Sequence, residues 1–222
     1  MGQPRIVHLE SVTSTQEVAR DLPVGSIVVA DHQTAGRGRL DRKWEAPRGS
    51  ALLASFVLRP RALLSLAAGV AAAEACGPEV RLKWPNDLLL GDHKLGGILV
   101  EVAKDRAVVG IGINLTSAPP GAERLDRPRD QLLADMRAAL ARWTSAPDED
   151  ILERWRHLSA TIGRRVRVEL PDRTIEGVAQ GIDASGALIV DGAAVSAGDV
   201  IHLRPQSPGA TAPAEPRRRA RE

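Results

Sequence analysis

Apolar residues fall into short runs along the first half of the chain, and these runs predict strands. Residues 27–30 and 51–58 are almost wholly apolar, which is typical of buried strands. Between them, residues 32–49 are polar, glycine-rich and basic, so we expect a long loop. Later apolar runs, separated by two-residue turns, predict further strands at residues 80–84, 87–90, 95–102 and 108–113.

Helical spacing of apolar residues distinguishes four other segments. It predicts helices at about residues 15–22, 63–76, 132–143 and 148–161. Ser14 and Glu17 have the Ser-x-x-Glu spacing of a capping box, in which a hydroxyl and a carboxylate bind free amides at a helix start. Asp130 is the expected N-cap of the third helix.

From Ile162 onwards the spacing of apolar residues changes from helical to alternating, which predicts strands at residues 165–170, 175–178, 188–190 and 200–203. We therefore expect a mixed sheet with flanking helices over residues 1–161, an α+β fold, followed by a small β-barrel over residues 162–204. Residues 205–222 are rich in Pro, Ala and Arg. Their few apolar side chains cannot offset the entropy of ordering, so we expect this tail to be disordered.

Composition narrows the classes of function. The 222 residues carry a formal charge of +2, and the four Arg and two Glu of the tail account for all of it. The rest of the chain therefore has no net charge, whereas a nucleic-acid-binding protein usually has a basic surface that neutralises several phosphates. Cys76 is the single cysteine, so one chain cannot form a disulfide or a cysteine-based zinc site, and we expect a cytoplasmic location. The apolar runs are too short for a membrane span, so we expect no membrane association.

The loop at residues 33–44 concentrates residues that suit an anionic, planar ligand. Glycines let a backbone approach an anion, arginines fork onto carboxylate or phosphate oxygens, and an indole offers a stacking face. The loop contains Gln33, Gly36, Arg37, Gly38, Arg39, Arg42, Lys43 and Trp44. Its spacing excludes a Walker A loop, and Asp41 stands where a Gly-x-Gly-x-x-Gly fingerprint needs its third glycine. On charge alone, a solvated basic loop is the ordinary interpretation.

Three later segments add polar residues and glycines near strand ends. They are Lys83-Trp84-Pro85-Asn86-Asp87, Lys94 with Gly96-Gly97, and Gly110-x-Gly112-x-Asn114. A lysine before a glycine pair can be held close to a ligand, partly out of water, which would make Lys94 an electrostatic clamp. Singly, each segment has an ordinary alternative: a hairpin-edge lysine, a core tryptophan, a turn pair, or glycines that only allow close packing.

The order of these segments and the residues within them resemble those of biotin protein ligases. The resemblance rests on Ser14-Thr15, Gln33-x-x-Gly-Arg-Gly-Arg-x-x-Arg-Lys-Trp44, Lys83-Trp-Pro-Asn-Asp87, Lys94-x-Gly-Gly-Ile-Leu and Gly110-x-Gly-x-Asn114, and it spans about residues 7–204. It implies an ATP-dependent ligase that forms biotinyl-5′-AMP and transfers biotin to a specific lysine of a biotin carboxyl carrier protein. It also implies a catalytic domain similar to the class II aminoacyl-tRNA synthetase fold, followed by an SH3-like barrel.

The resemblance also implies roles for individual residues. Biotin would contact Ser14, Thr15, Gln16, Gln33, Gly36, Arg37, Gly38, Arg39, Lys94, Gly97, Gly110 and Gly112. ATP would contact Arg37, Arg39, Arg42, Trp44, Lys83, Asn86, Asp87 and Asn114. Lys94 and Arg39 would be the catalytic residues, and three of the glycines would leave an open floor for the biotin tail. Mg²⁺ would arrive with ATP, near Asp87, since the sequence shows no metal-binding cluster of side chains. The family commonly has Asn after the Ser-Thr pair, where this chain has Gln16.

The implied partners are biotin, ATP and the carrier domain of a carboxylase, and a homodimer is left open. Some ligases of this family carry an N-terminal helix-turn-helix. Only thirteen residues precede Ser14, so we expect the type without that domain, with no specific DNA binding. Two other functions stay open: a lipoate or octanoate ligase of similar fold, and a catalytically inactive binding module. The amino-acid sequences of the loop and of the Lys-Trp-Pro-Asn-Asp segment argue against a lipoate or octanoate ligase. The charged residues that are present in every motif argue against an inactive binding module.

Overall fold

A seven-stranded sheet forms the body of the protein in the computed structural model, which describes residues 3, 5–40 and 42–203. Its strands are β1 (Ile6–Leu9), β2 (Ile27–Ala30), β3 (Ala51–Leu58), β4 (Val80–Lys83), β5 (Asp87–Leu90), β6 (His93–Ala103) and β7 (Arg106–Asn114). They lie in the order β1-β2-β3-β7-β6-β5-β4, with β1 and β2 parallel and the other neighbours antiparallel. The predicted mixed sheet is therefore confirmed. Asp41 and the predicted disordered tail lie outside the described residues.

Four helices accompany the strands. They are α1 (Thr15–Arg20), α2 (Leu64–Cys76), α3 (Arg129–Trp143) and α4 (Asp148–Leu158). Ser14 caps α1 as predicted, since its Oγ accepts a 3.3 Å hydrogen bond from the backbone N–H of Gln16. Glu17 does not complete a capping box, because its carboxylate accepts from the Thr13 hydroxyl instead. None of the helices in the described ranges is long and apolar enough to cross a membrane.

The ends of two helices differ from the prediction. Pro128, not Asp130, is the N-cap of α3, and Asp130 lies in the first turn, where a negative charge favours the helix dipole. Helix α4 ends at Leu158, three residues early. There the N–H of Ala160 donates to the carbonyl of Leu82 at 2.7 Å, which joins the chain to the edge strand β4.

The sheet has two chemically different faces, because alternate residues of a strand point to opposite sides. On one face, apolar side chains of the central strands pack against α2 and α3; they include Leu52, Ala54, Phe56, Ile98, Val109 and Ile111. The opposite face, beside α1, has Ser55, Gly97, Gly110 and Gly112 instead. These small residues leave space above the sheet, and the candidate site lies there.

The C-terminal residues form a second, five-stranded antiparallel sheet. Its strands are β8 (Arg165–Glu169), β9 (Thr174–Ile182), β10 (Leu188–Val190), β11 (Ala193–Val195) and β12 (Asp199–His202), in the order β11-β10-β9-β8-β12. Buried and exposed residues alternate along β8, as the sequence predicts. Inner residues such as Val166 and Leu188 belong to the same hydrophobic cluster as the body. The second sheet is therefore packed onto the body through a continuous core.

Strands β1 and β11 are the two strands missing from the prediction. Along β1 no residue is fully buried, and in β11 only Val195 is. Such short, half-exposed segments carry too little hydrophobic pattern to be distinguished from loops.

Candidate active site

A cavity of about 260 Å³ lies between the glycine-bearing face of the first sheet and strand β12 of the second. Most of the predicted site residues line it: Ser14, Thr15, Gln16, Gln33, Arg37, Gly38, Arg39, Arg42, Trp44, Lys83, Asn86, Asp87, Lys94, Gly97, Gly110 and Gly112. Glu169 and Asp199 of the second sheet line it as well. The fold thus brings together segments that are up to about 185 residues apart in the chain.

One end of the cavity is formed by uncharged polar side chains. Gln33 Oε1 accepts from both the backbone N–H (2.8 Å) and the hydroxyl (3.0 Å) of Thr15. A Cβ on Gly36 would lie 2.8 Å from Gln33 Nε2 and 2.3 Å from the carbonyl oxygen of Trp44. Gly36 itself does not line the cavity. Because it has no side chain, Gln33 can lie close to the loop backbone.

Gln16 is buried, and the protein itself satisfies its carboxamide. Its Oε1 accepts from Ser55 Oγ at 2.9 Å, and its Nε2 donates to Glu101 Oε2 at 3.1 Å and to the carbonyl of Val108 at 3.3 Å. A Cβ on Gly110 would lie 2.7 Å from Gln16 Oε1. Gln16 consequently fills the space that Gly110 leaves open.

The basic hairpin, residues 36–40 and 42–44, folds back on itself over the cavity. The N–H of Trp44 donates to the carbonyl of Gly36 at 2.9 Å, and the N–H of Gly38 donates to the carbonyl of Arg42 at 2.7 Å. A Cβ on Gly112 would lie 2.6 Å from Cε2 of the Trp44 ring. The glycine floor expected to be open is therefore covered by the Trp44 indole, whose Nε1 is buried and has no partner among the described residues.

Each arginine of the basic hairpin is attached to a different element. Arg37 pairs with Glu101 of β6 at 3.1 Å, and Arg42 pairs with Asp199 of β12. Arg39 donates to Asn86 Oδ1 at 3.3 Å and to the carbonyl of Gly198 at 3.4 Å. Burial lowers the pKa of Arg39, and the nearby carboxylates of Asp199 and Asp87 oppose this shift. An arginine keeps its charge regardless, so the hairpin places three cations across the cavity.

Two lysines face the hairpin from the sheet. Lys94 Nζ donates to Asp87 Oδ1 at 2.6 Å, but its side chain is 44% exposed, so the partial desolvation expected from the sequence is slight. Lys83 is more buried. Burial lowers its pKa, and the carboxylate of Asp87 opposes this shift. Within the described part of the chain, neither Lys83 nor Arg39 has a carboxylate within 4.0 Å, so both leave positive charge for an anionic ligand.

Asn114 is, with Gly36, one of the two predicted ligand residues that do not line the cavity. It is buried, its Nδ2 donates to the carbonyl of Glu123 at 2.9 Å, and it borders a neighbouring cavity rather than this one. Trp84 also belongs to the core, where its Nε1 donates to the carbonyl of Gly186 at 3.1 Å. Neither the Asn114 nor the Trp84 side chain is therefore assigned a contact with a ligand.

Four polar residues that line the cavity or bond to a residue lining it are missing from the prediction: Ser55, Glu101, Glu169 and Asp199. Ser55 and Glu101 follow apolar residues within strands, where a single polar residue usually faces solvent. Asp199 reaches the cavity only because the second sheet packs beside it. Only the tertiary arrangement distinguishes these residues from ordinary surface positions.

A hydrogen-bonded chain links the second sheet to the segment that carries Lys83. The Trp84 N–H donates to Thr161 Oγ1 at 3.1 Å, and Thr161 Oγ1 lies 3.1 Å from His202 Nε2. While it accepts from Trp84, the Thr161 hydroxyl can donate its own proton to His202 Nε2 when that nitrogen is unprotonated. Burial, together with the positive charges of Lys83 and Arg164, lowers the pKa of His202 to about 4.

We predict that this contact makes stability depend on pH. With a pKa of about 4 in the folded state and about 6.5 unfolded, neutral His202 stabilises the fold above pH 6.5, and this contribution is lost as the pH falls towards 4. Because the ring is half-exposed, we expect the effect between pH 7.5 and 5 to be about 1 kcal/mol. Urea unfolding of the wild type and His202→Gln at both pH values measures it. The control is His157→Gln on the exposed side of α4, which should keep the wild-type pH dependence, and an identical dependence in His202→Gln would contradict the prediction.

The first sheet and its cavity correspond to a known class of proteins. Residues 8–116 match the model of the Biotin/lipoate A/B protein ligase family, and residues 161–203 match the biotin protein ligase C terminal domain. The chain is 40% identical to a biotin--[acetyl-CoA-carboxylase] ligase of Mycobacterium tuberculosis over 213 residues, which cover 81% of this chain and 80% of that protein. It is 35% identical to the bifunctional ligase/repressor BirA of Escherichia coli over 77% of this chain and 63% of that protein.

Solved structures agree with the sequence relatives. The biotin protein ligase from Aquifex aeolicus, in complex with biotin and ATP, superposes with a TM-score of 0.79 at 28% identity over 90% of this chain and 99% of that one. The chain belongs to the biotin protein ligase family.

Proposed function

We propose that this chain joins biotin to ATP, giving biotinyl-5′-AMP and pyrophosphate, and then transfers the biotinyl group to one lysine of a biotin carboxyl carrier domain. One observation carries the proposal: Ser14, Thr15 and Gln33 line the same cavity as Lys94 and the arginines of the basic hairpin. Uncharged hydrogen-bonding groups at one end and cations at the other suit a polar ring with an acidic tail that must meet a nucleotide.

We assign the ureido ring of biotin to Ser14, Thr15 and Gln33. A ureido group is a fixed set of two donors and one acceptor, and the bonds from Thr15 hold the Gln33 carboxamide in one orientation. A site built on such groups rejects an analogue that leaves them unpaired. Gln16 serves as a wall above Gly110 rather than as a direct ligand, since its own polar atoms are already bonded.

We assign the phosphates of ATP to the end bounded by Arg39, Lys83 and Lys94. The biotin carboxylate attacks the α-phosphorus, a carboxylate oxygen–phosphorus bond forms, and the bond to the β-phosphate oxygen breaks and releases pyrophosphate. This step brings two anions together, and donors already fixed in place stabilise the charge in its transition state. Arg42 and Asn86, which also line the cavity, complete the proposed ATP contacts, whereas Trp44 covers Gly112 and belongs to the floor of the cavity.

Asp87 is the residue we propose for the Mg²⁺ that accompanies ATP. Mg²⁺ prefers oxygen ligands and commonly uses one or two carboxylates together with substrate phosphates. Asp87 lines the cavity, and its Oδ1 is held by Lys94. In the described ranges, no group of three or more His, Cys, Asp or Glu residues could hold a metal ion.

We further propose that residues 1–161 form the catalytic domain, similar to the class II aminoacyl-tRNA synthetase fold, and that residues 162–204 form an SH3-like barrel. The five antiparallel strands of the second sheet and its alternating burial support the barrel. Asp199 supports a role for the barrel in the site, since it pairs with Arg42 across the cavity. The single, buried cysteine supports a cytoplasmic location, where thiols stay reduced.

A thermal-shift experiment tests the proposed substrates. The chain is melted alone, with biotin, with ATP–Mg²⁺ and with both, and lipoate replaces biotin in a parallel series. We expect the largest rise in Tm with biotin and ATP–Mg²⁺ together, because a tightly bound adenylate stabilises the native state more than either substrate. A larger rise with lipoate and ATP would favour a lipoate ligase. No rise in any mixture would favour an inactive binding module.

Arg39→Gly tests whether the basic hairpin retains the adenylate. The variant loses the bonds to Asn86 and Gly198 that join the hairpin to the opposite wall. We expect release of biotinyl-5′-AMP to become about 10-fold faster, the equivalent of one charged hydrogen bond. The dissociation rate of labelled adenylate measures the effect, and biotinylation of lysines on a bystander protein should rise in parallel. An unchanged dissociation rate would contradict the prediction.

A further inference from the structure

Glu101 gathers three side-chain donors at the rim of the cavity, although its own side chain does not line it. Its Oε1 accepts from Arg20 at 2.9 Å and from Arg37 at 3.1 Å, and its Oε2 accepts from Gln16 Nε2 at 3.1 Å. The side chain is 26% exposed, so water screens these contacts only in part. The residue is therefore placed to control side chains that do line the cavity.

The sheet fixes the position of this carboxylate. Gly97, Leu99 and Glu101 alternate along β6 on the face that carries the site, and Glu101 lies opposite Val108 of β7. Gln16 Nε2 donates to the carbonyl of Val108 as well as to Glu101. Two acceptors from neighbouring strands thus hold the Gln16 amide above Gly110.

Through Arg37, Glu101 also holds the base of the basic hairpin. Asp199 holds the other side of the hairpin through Arg42, so two carboxylates on different elements hold it across the cavity. Arg37 is 39% exposed and can move away when its partner is removed. Loss of the Glu101 carboxylate would leave Arg37 without this partner and Gln16 with one acceptor fewer, and both side chains line the cavity.

We infer that Glu101 is a positioning residue for biotin: it holds Arg37 and Gln16 as the walls of the biotin end and leaves the nucleotide end unchanged. The inference rests on the proposed function. It assigns to Glu101 an effect on biotin affinity and adenylate retention, because the nucleotide end is bounded by Arg39, Lys83 and Lys94, none of which Glu101 contacts.

Glu101→Gln tests this inference with a side chain of the same size. Loss of the carboxylate charge should raise KM for biotin about 5- to 10-fold. KM for ATP and kcat for adenylate formation should stay within about 2-fold of the wild type. The matched control is Glu74→Gln. Glu74 likewise accepts from two arginines, Arg142 and Arg154, but lies among α2, α3 and α4, away from the cavity. A merely structural role would lower Tm in both variants without a selective change in KM for biotin.

A double-mutant cycle with Arg37→Ala identifies the route of the effect. Because Glu101 acts partly through Arg37, Glu101→Gln should raise KM for biotin less in the Arg37→Ala background than in the wild type, and the effect that remains is the part exerted through Gln16. Full additivity of the two changes, or an equal rise in KM for ATP, would overturn the inference. An active wild type whose Glu101→Gln variant has unchanged KM values would overturn this inference alone, whereas a wild type that forms no adenylate would overturn the proposed function.

Discussion

Lys94→Ala is expected to slow adenylate formation about 10²- to 10³-fold, the usual cost of losing one fixed donor to a charged transition state. The ammonium of Lys94 lies 2.6 Å from Asp87 on the wall that faces the basic hairpin. Without it, Asp87 loses the ammonium that it accepts from, and the triphosphate and the biotin carboxylate meet one cation fewer in the cavity. Single-turnover formation of labelled biotinyl-5′-AMP measures the rate directly.

Lys104→Ala is the matched control for this variant. Lys104 is exposed in the turn between β6 and β7, at the far end of the same sheet. We expect the control to retain the wild-type rate and both variants to melt close to the wild type, because a half-exposed ion pair contributes little to stability. A Lys94→Ala rate within 3-fold of the wild type would remove Lys94 from the mechanism.

Gly112→Ala should raise KM for biotin about 10- to 200-fold, the range for one methyl group misplaced in a closely fitting pocket. The new Cβ would lie 2.6 Å from Cε2 and 2.8 Å from Cζ2 of Trp44, so the indole must move off the floor. The floor and the ring together form the surface we assign to the biotin tail. Titration of the intrinsic fluorescence with biotin measures the loss of affinity and also reports the displaced ring.

Gly181→Ala is the control for a glycine within a strand. No atom lies within 4 Å of the position that its Cβ would take, and β9 lies outside the cavity. Both variants lose the same backbone freedom in the unfolded chain. Equal biotin affinity in Gly112→Ala and Gly181→Ala would show that the floor beneath Trp44 does not contact biotin.

The parts of the fold that the sequence predicts are those with strong local patterns. Strands β2 and β3 are recognisable because wholly apolar runs need burial on both faces, and β5 to β7 because two-residue turns separate them. The motifs predict most residues of the candidate site, because residues that are close in sequence within one loop are also close in space. Asp130 shows the limit of local reasoning: this residue type suits an N-cap, yet Pro128 is the N-cap and Asp130 lies in the first turn of the helix.

The contacts that the sequence does not predict all depend on distant packing. Glu101 reaches Arg37, and Asp199 reaches Arg42, only after the strands are in register and the second sheet has docked. The position of Trp44 follows from the same packing: its ring covers Gly112, whereas the sequence suggests an aromatic face free to stack on a ligand. Asn114 ends β7 in the expected place, yet its amide turns towards Glu123.

The central claim is that the hairpin arginines and Lys94 meet biotin and ATP in one cavity, and biotin-dependent ATP–pyrophosphate exchange tests it most directly. The chain is incubated with ATP, Mg²⁺ and labelled pyrophosphate, with biotin, with lipoate or with neither acid. The account predicts label in ATP only when biotin is present, with the signal lost in Lys94→Ala and kept in Lys104→Ala. Exchange that is equally fast with lipoate, or absent with biotin, would contradict it.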